Sequence, residues 1–274
     1  MRVALLQMTA GVDPAANATT LVQAIGEASA GGATVLFTPE MSGLMDRDRT
    51  RSEGAVRLEA EDPVLHDVQA AALAHDIWVA LGSLAVRERR DGKRHNRTLV
   101  IGPDGAIKAR YDKIHLFDVD LSDGQSWRES ATYAAGQDAV LVQTPLGLLG
   151  LSICYDLRFP TLFGMLSKAG ADVIAVPAAF TVPTGEAHWH TLLRARAIET
   201  QSFVIAAAQT GQHEDGRETY GHSLIVDPWG RVLLDAGTGP GLYFCDLDLN
   251  ETAAVRARIP VHAHHRPIGG PVIL

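Results

Sequence analysis

Six short apolar runs constrain this chain more than any other feature. Val3–Leu6, Thr34–Phe37, Ile77–Leu81, Leu148–Ile153, Asp172–Val176 and Phe203–Ala208 lack the in–out alternation of a half-exposed strand. They read as strands buried on both faces. Helical patterns separate them. Asn17 is placed to cap a helix running towards Ala30, which Gly31-Gly32 would end. Asp62-Pro63 offers a cap and a first-turn proline for a helix to about Ala74. His190–Gln201 carries Leu192, Leu193, Ala197 and Ile198 at helical spacing. Strands hidden on both faces need helices to hide them, so the expected class is α/β.

Two segments resemble each other. Thr98-Leu99-Val100-Ile101-Gly102-Pro103-Asp104-Gly105-Ala106-Ile107 lines up with Ser223-Leu224-Ile225-Val226-Asp227-Pro228-Trp229-Gly230-Arg231-Val232. Each reads as a strand, a turn holding Pro and then Gly, and a second strand. Earlier in each half an apolar run ends in proline, at Phe37-Thr38-Pro39 and Ala175-Val176-Pro177. The pattern is that of an internal duplication, although Pro–x–Gly hairpins are also common without one. No low-complexity linker parts the halves, so residues 1–274 are expected to form one domain.

The formal net charge is −8, with both signs interspersed, which excludes the concentrated basic face that nucleic acid requires. Apolar residues make up 46% of the chain, enough for a sizeable core. Cys154 and Cys245 are the only cysteines, too few for a disulfide framework in 274 residues. Met1–Gln7 enters a strand-like run without the pattern of a signal peptide, and no apolar stretch is long enough to span a bilayer. The expectation is a soluble cytoplasmic protein that partners neither membrane nor nucleic acid.

Three residues carry candidate chemistry. Cys154 follows the apolar run Gly150-Leu151-Ser152-Ile153 and precedes a helix-like segment near Pro160, the setting of a nucleophile at a strand-to-helix turn. The same context suits a buried structural cysteine, and both readings stay open. Cys245 reads as an ordinary strand residue. A thiol needs a base at neutral pH. Glu40, after Val35-Leu36-Phe37-Thr38-Pro39, stands at the carboxyl end of a buried strand, where open α/β sheets gather their sites and where burial would raise its pKa. Lys113 either snorkels to the surface or stabilises an oxyanion. The eleven histidines offer no evident base. His188 and His190 flank Trp189, and His262, His264 and His265 lie near the C-terminus, but neither group has a cysteine or carboxylate at a recognised metal-ligand spacing.

Taken together, Thr38-Pro39-Glu40, Tyr111-Asp112-Lys113-Ile114-His115-Leu116-Phe117 and Ser152-Ile153-Cys154-Tyr155-Asp156-Leu157-Arg158-Phe159-Pro160 resemble the nitrilase superfamily, the carbon–nitrogen hydrolases. The resemblance implies a four-layer αββα sandwich, a homodimer or larger homo-oligomer, and a cysteine amidase acting on a small-molecule amide. Glu40 would be its base, Cys154 its nucleophile, and Lys113 with the Tyr155 backbone N–H its oxyanion donors. Glu129, in Trp127-Arg128-Glu129-Ser130, matches a second family glutamate that positions the lysine. No metal and no organic cofactor is implied. Arg158 is the candidate for a substrate carboxylate, or else pairs structurally with a buried acid. Within the superfamily, Leu192–Gln201, Ala206–Gly211 and Tyr220–Gly230 resemble the branch of deaminated glutathione amidases and omega-amidases. The expected substrate is deaminated glutathione, with 2-oxoglutaramate or another small amide or carbamoyl compound as the alternative. A binding protein that kept the fold and lost the activity is the reading outside the enzymes. Cys154-Tyr155-Asp156 departs from the Cys-Trp-Glu context of true nitrilases. The acidic stretch 212–218 stands against tight binding of a highly anionic substrate.

Overall fold

The computed structural model describes residues 1–88, 93–120 and 126–273. The six apolar runs become the parallel centres of two six-stranded sheets, three in each. In the first half these are β1 (Arg2–Gln7), β2 (Val35–Phe37) and β3 (Trp78–Arg87), followed by the antiparallel pair β4 (Arg94–Ile101) and β5 (Ile107–Asp112). The second half begins with β6 (Leu141–Thr144), then β7 (Gly147–Leu151), β8 (Val173–Ala175) and β9 (Phe203–Ala206). It continues with β10 (Leu224–Val226) and β11 (Val232–Asp235). The last strand, β12 (Gly241–Asp246), returns to the first sheet and pairs antiparallel with β1.

The sheet orders are β12-β1-β2-β3-β4-β5 and β6-β7-β8-β9-β10-β11. Read this way they have the same sequence of directions: one antiparallel edge, three parallel strands, then an antiparallel hairpin. The two Pro–x–Gly segments are the equivalent hairpins β4–β5 and β10–β11. The strands that end in Pro39 and Pro177, β2 and β8, are equivalent as well. The duplication is therefore one of topology and not of turn composition alone.

Helices α1 (Pro14–Ala30) and α2 (Pro63–His75) connect the parallel strands of the first half; α3 (Pro160–Lys168) and α4 (Val182–Thr200) do so in the second, and α5 (Asn250–Arg258) follows β12. Side chains alternate along β1. Val3 and Leu5 join Phe37, Ala80, Leu149, Leu151, Ala175 and Ile205 in a core shared by both sheets. Ala4 and Leu6 instead join Leu36, Val79 and Leu81 against Leu21 and Ile25 of α1 and Leu65 and Val68 of α2. On the second sheet α3 packs close enough that a Cβ on Gly150 would meet Leu166 at 3.2 Å. The result is the four-layer αββα arrangement. No helix among the described residues is long and apolar enough to cross a membrane.

Two helix starts differ from expectation. The cap of α1 is Asp13, whose carboxylate accepts from the Ala15 N–H at 3.0 Å, with Pro14 in the first turn. Asn17 lies inside the helix, buried, and its amide donates to the Gly11 and Gly43 carbonyls. Helix α4 begins at Val182, a full two turns before His190, because Pro183 suits a first turn and the small, polar residues behind it gave no apolar periodicity to read. Asp62 and Pro63 start α2 as predicted.

The sheets approach closely behind β2. A Cβ on Gly82 would lie 1.9 Å from the Thr38 carbonyl oxygen and 2.7 Å from Cβ of Pro177. Only a residue without a side chain lets β3 pass the two proline-ended strands. Gly82→Ala is expected to destabilise the fold by roughly 1–3 kcal/mol, the scale of an overpacked core, read as a lowered denaturation midpoint. An unchanged midpoint would show that this approach is not tight in solution.

Candidate active site

Glu40, Lys113, Glu129 and Cys154, far apart in sequence, meet at the carboxyl ends of the central strands. Glu40 follows β2 and is buried at 4% exposure. One of its carboxylate oxygens accepts from Lys113 Nζ at 2.8 Å and from Asn96 Nδ2 at 2.9 Å. The other accepts from the Ala179 N–H at 3.0 Å. Lys113 leaves the end of β5, and its ammonium also reaches both oxygens of Glu129, at 3.1 and 2.9 Å. At 2% exposure it is no surface snorkel. Burial opposes its charge, but Glu129 and Glu40 prevail and hold it well above the usual lysine range. Glu129 is itself fixed by the Phe117 N–H at 2.7 Å and by Asn96 at 3.2 Å.

Cys154 sits at the turn between β7 and α3 with a left-handed φ of 48°. Such backbone is costly for a residue with a Cβ and marks a position that its surroundings over-determine. Here the Cys154 N–H donates to the Pro177 carbonyl at 2.9 Å, and Asp156 accepts from the Ile153 N–H at 2.9 Å. Asp156 also ties this turn to the lysine segment. It accepts from Tyr111 Oη at 2.6 Å and from the His115 N–H at 3.0 Å, and it sits 2.7 Å from His115 Nδ1. Residues that flank the reactive ones in two separate motifs thus bind each other and set the sulfur beside the ammonium.

An open thiolate at Cys154, the usual state of a reactive cysteine, is not what the structure provides. The residue is 8% exposed, and burial together with the Glu40 carboxylate pushes its thiol well above the ordinary range, with Lys113 pulling the other way. The sulfur rests protonated, with a carboxylate close enough to accept the proton. Cys245, in β12, is only partly buried.

Arg158 stands at the rim of this region. No described carboxylate lies within salt-bridge distance of it; its guanidinium faces His188 Nδ1 at 3.3 Å and lies over the Phe180 ring at 5.5 Å. The buried acid nearby, Asp156, is satisfied by Tyr111 and His115 instead. Two acids of the stretch 212–218 are engaged within the protein. Asp215 accepts from Arg217 Nε at 2.6 Å and from the Arg47 N–H, while Glu214 accepts from the Val12 N–H. Arg217 then extends over the Trp127 ring at 5.7 Å, so a cation and not an anion faces the Trp127–Glu129 segment. Asn96 and the Ala179 N–H went unnoticed in the sequence. A strand asparagine and a backbone amide carry no motif, and only the pairing of β4 with β5 puts Asn96 beside Lys113, whose N–H donates to the Asn96 carbonyl.

Comparison with known proteins identifies the family. The carbon-nitrogen hydrolase family matches residues 2–257. The chain is 38% identical to a deaminated glutathione amidase of Yersinia enterocolitica, covering 96% of this chain and 92% of that one. It is 40% identical to a deaminated glutathione amidase of Synechocystis, covering 95% and 96%. The crystal structure of the Caenorhabditis elegans NitFhit protein superposes with a TM-score of 0.89 at 37% identity; the match takes in 97% of this chain and 65% of the larger one. The chain belongs to the carbon–nitrogen hydrolase family, hydrolases of carbon–nitrogen bonds other than peptide bonds.

Removing the ammonium would leave the buried Glu40 carboxylate facing the partly buried one of Glu129. Lys113→Met is expected to lose about 3–5 kcal/mol, the scale for breaking a buried ion pair, in denaturant unfolding. Adding Glu129→Gln should recover part of that stability. A single variant as stable as the parent would contradict a charged, paired Lys113. The thiol makes a second prediction. In a Cys245→Ala protein, thiolate ultraviolet absorbance should be absent at neutral pH and emerge only above the usual thiol value of 9.0. A transition below neutrality would mean a preformed thiolate.

Proposed function

We propose that this chain is a cysteine-dependent amidase whose substrate is deaminated glutathione, cleaved to 2-oxoglutarate and cysteinylglycine. The observation that carries the reading is the Glu40–Lys113–Glu129 cluster beside Cys154 at a strained turn. Glu40 takes the thiol proton as sulfur attacks the amide carbonyl. Lys113 and the Tyr155 N–H hold the developing oxyanion, a charge their positions favour before the reaction begins. Collapse of the tetrahedral species breaks the C–N bond. The amine leaves with the proton from Glu40, and a thioester remains on Cys154. Glu40 then removes a proton from water, which attacks the thioester and frees the acid and the thiol. Glu129 keeps Lys113 charged and aimed, and no step calls for a metal or an organic cofactor.

The substrate assignment rests on the relatives that carry that name at 38% and 40% identity over nearly the whole chain. It is supported by the Arg158 guanidinium, which pairs with no carboxylate among the described residues and suits that of the 2-oxo acid portion. The two unpaired cysteines fit a reducing cytoplasm. A homodimer or larger homo-oligomer belongs to the same proposal. It is supported by an open apolar groove lined by Ile198, Trp229, Val255, Ile259 and Val261.

Side-by-side kcat/KM values should favour deaminated glutathione over 2-oxoglutaramate, because the leaving-group side adds binding energy that aligns the scissile carbonyl. Arg158→Met should lower both by similar factors. A clear preference for 2-oxoglutaramate would make the chain an omega-amidase, and full activity of Cys154→Ala would end the cysteine mechanism.

A further inference from the structure

Two imidazoles and a carboxylate that the amidase mechanism does not use converge where α4 passes the hairpin β10–β11. His190 Nε2 lies 2.9 Å from one oxygen of Asp235, and His222 Nδ1 lies 2.9 Å from the other. The residues come from three places: the middle of α4, the approach to β10 and the end of β11. One donor atom from each falls within 4.8 Å of the other two. Tetrahedral zinc with nitrogen and oxygen ligands at about 2.0–2.2 Å needs donors roughly 3.3 Å apart. Each of these imidazole nitrogens already lies 2.9 Å from a carboxylate oxygen, and binding asks each ring to carry its proton on the other nitrogen.

The three side chains are held before any ion arrives. His222 has a left-handed φ of 53°, and its backbone is bound on both sides. Its N–H donates to the Gly237 carbonyl at 2.6 Å, and its own carbonyl accepts from Trp189 Nε1 at 2.8 Å. Tyr220 stacks on the His222 ring at 4.4 Å, which fixes the ring plane. Asp235 accepts from the Gly237 N–H at 2.9 Å, the kind of outer contact that orients a ligating carboxylate. Glu186, one helical turn before His190, adds negative charge on the same side of α4. Side-chain exposures of 35% for His190, 23% for His222 and 35% for Asp235 leave a path for an ion and room for water in the remaining positions.

We propose that His190, His222 and Asp235 form a binding site for a divalent transition metal of the zinc type, separate from the reacting groups, that ties α4 to the β10–β11 hairpin. Two imidazoles and one carboxylate select against magnesium and calcium, which take oxygen ligands, and suit zinc, cobalt or nickel. Glu40, Lys113, Glu129 and Cys154 contribute no ligand, so the site stands whether or not the amidase reading does.

The test uses the full chain carrying Cys154→Ala, so that the reactive thiol cannot compete for the ion. Protein stripped with chelator is titrated with Zn²⁺ by calorimetry and with Co²⁺ by visible absorption. One equivalent of Zn²⁺ should bind, the melting temperature should rise with it, and the Co²⁺ bands should lack a thiolate charge-transfer band. Asp235→Asn and His190→Asn should each weaken Zn²⁺ by more than about tenfold and abolish the rise in melting temperature. Melting of the variants in chelator shows whether they fold. Should they not, the Co²⁺ spectrum of the parent decides, since bands of a nitrogen–oxygen site support the assignment. Absence of saturable Zn²⁺ uptake, or uptake unchanged in both folded variants, would reduce the cluster to a hydrogen-bonded brace between helix and hairpin.

Discussion

Burying an ammonium removes it from water at a cost of several kcal/mol that only full pairing offsets. Lys113 meets that condition through two carboxylates, and most of what surrounds the site follows from satisfying those carboxylates in turn. Glu40 needs Asn96 on one oxygen and the Ala179 N–H on the other. Glu129 needs Asn96 and the Phe117 N–H. These partners come from both halves of the chain, so the sheets must approach closely, and the bare backbone of Gly82 is what permits it. The cluster is then a rigid charge arrangement in a dry place. There its field on a developing oxyanion is stronger than it would be in water.

That same dryness governs the nucleophile. A thiolate beside Glu40 would add a third negative charge to one ammonium, and burial disfavours it further. Keeping the proton on sulfur until a carbonyl is in place makes the carboxylate a partner in bond formation instead of a mere neighbour. It also leaves the resting thiol in its less oxidisable form.

The sequence made the fold legible where burial is complete. The six central strands have no solvent face, so their apolar runs stand out, and all six lie where they were expected. Strands with open faces were legible only in part: β12, partly exposed along much of its length, showed as a strand at Cys245 but not as the partner of β1. The start of α4 was hidden for a similar reason. Glu40, Lys113 and Cys154 could be read only jointly, through motif order, because each alone has an ordinary explanation. What no reading of order could supply were contacts made by folding. Asn96 has no motif. Asp235 lies 45 residues from His190 along the chain, and so the histidines of α4 looked unaccompanied. Tyr111, His115 and Asp156 were visible as motif letters, but their purpose, a clamp between the lysine and cysteine segments, exists only in three dimensions.

The return of β12 to the first sheet has a consequence for how the chain is made. β1 is made long before Gly241–Asp246, the segment that pairs antiparallel along its outer edge. Until that late segment has emerged from the ribosome, β1 presents a row of unpaired amides and carbonyls beside one of the most apolar strands of the protein. Such an edge invites pairing with other nascent chains. The first half therefore waits with an unfinished border until β12 is made, and that strand is the seal that closes it.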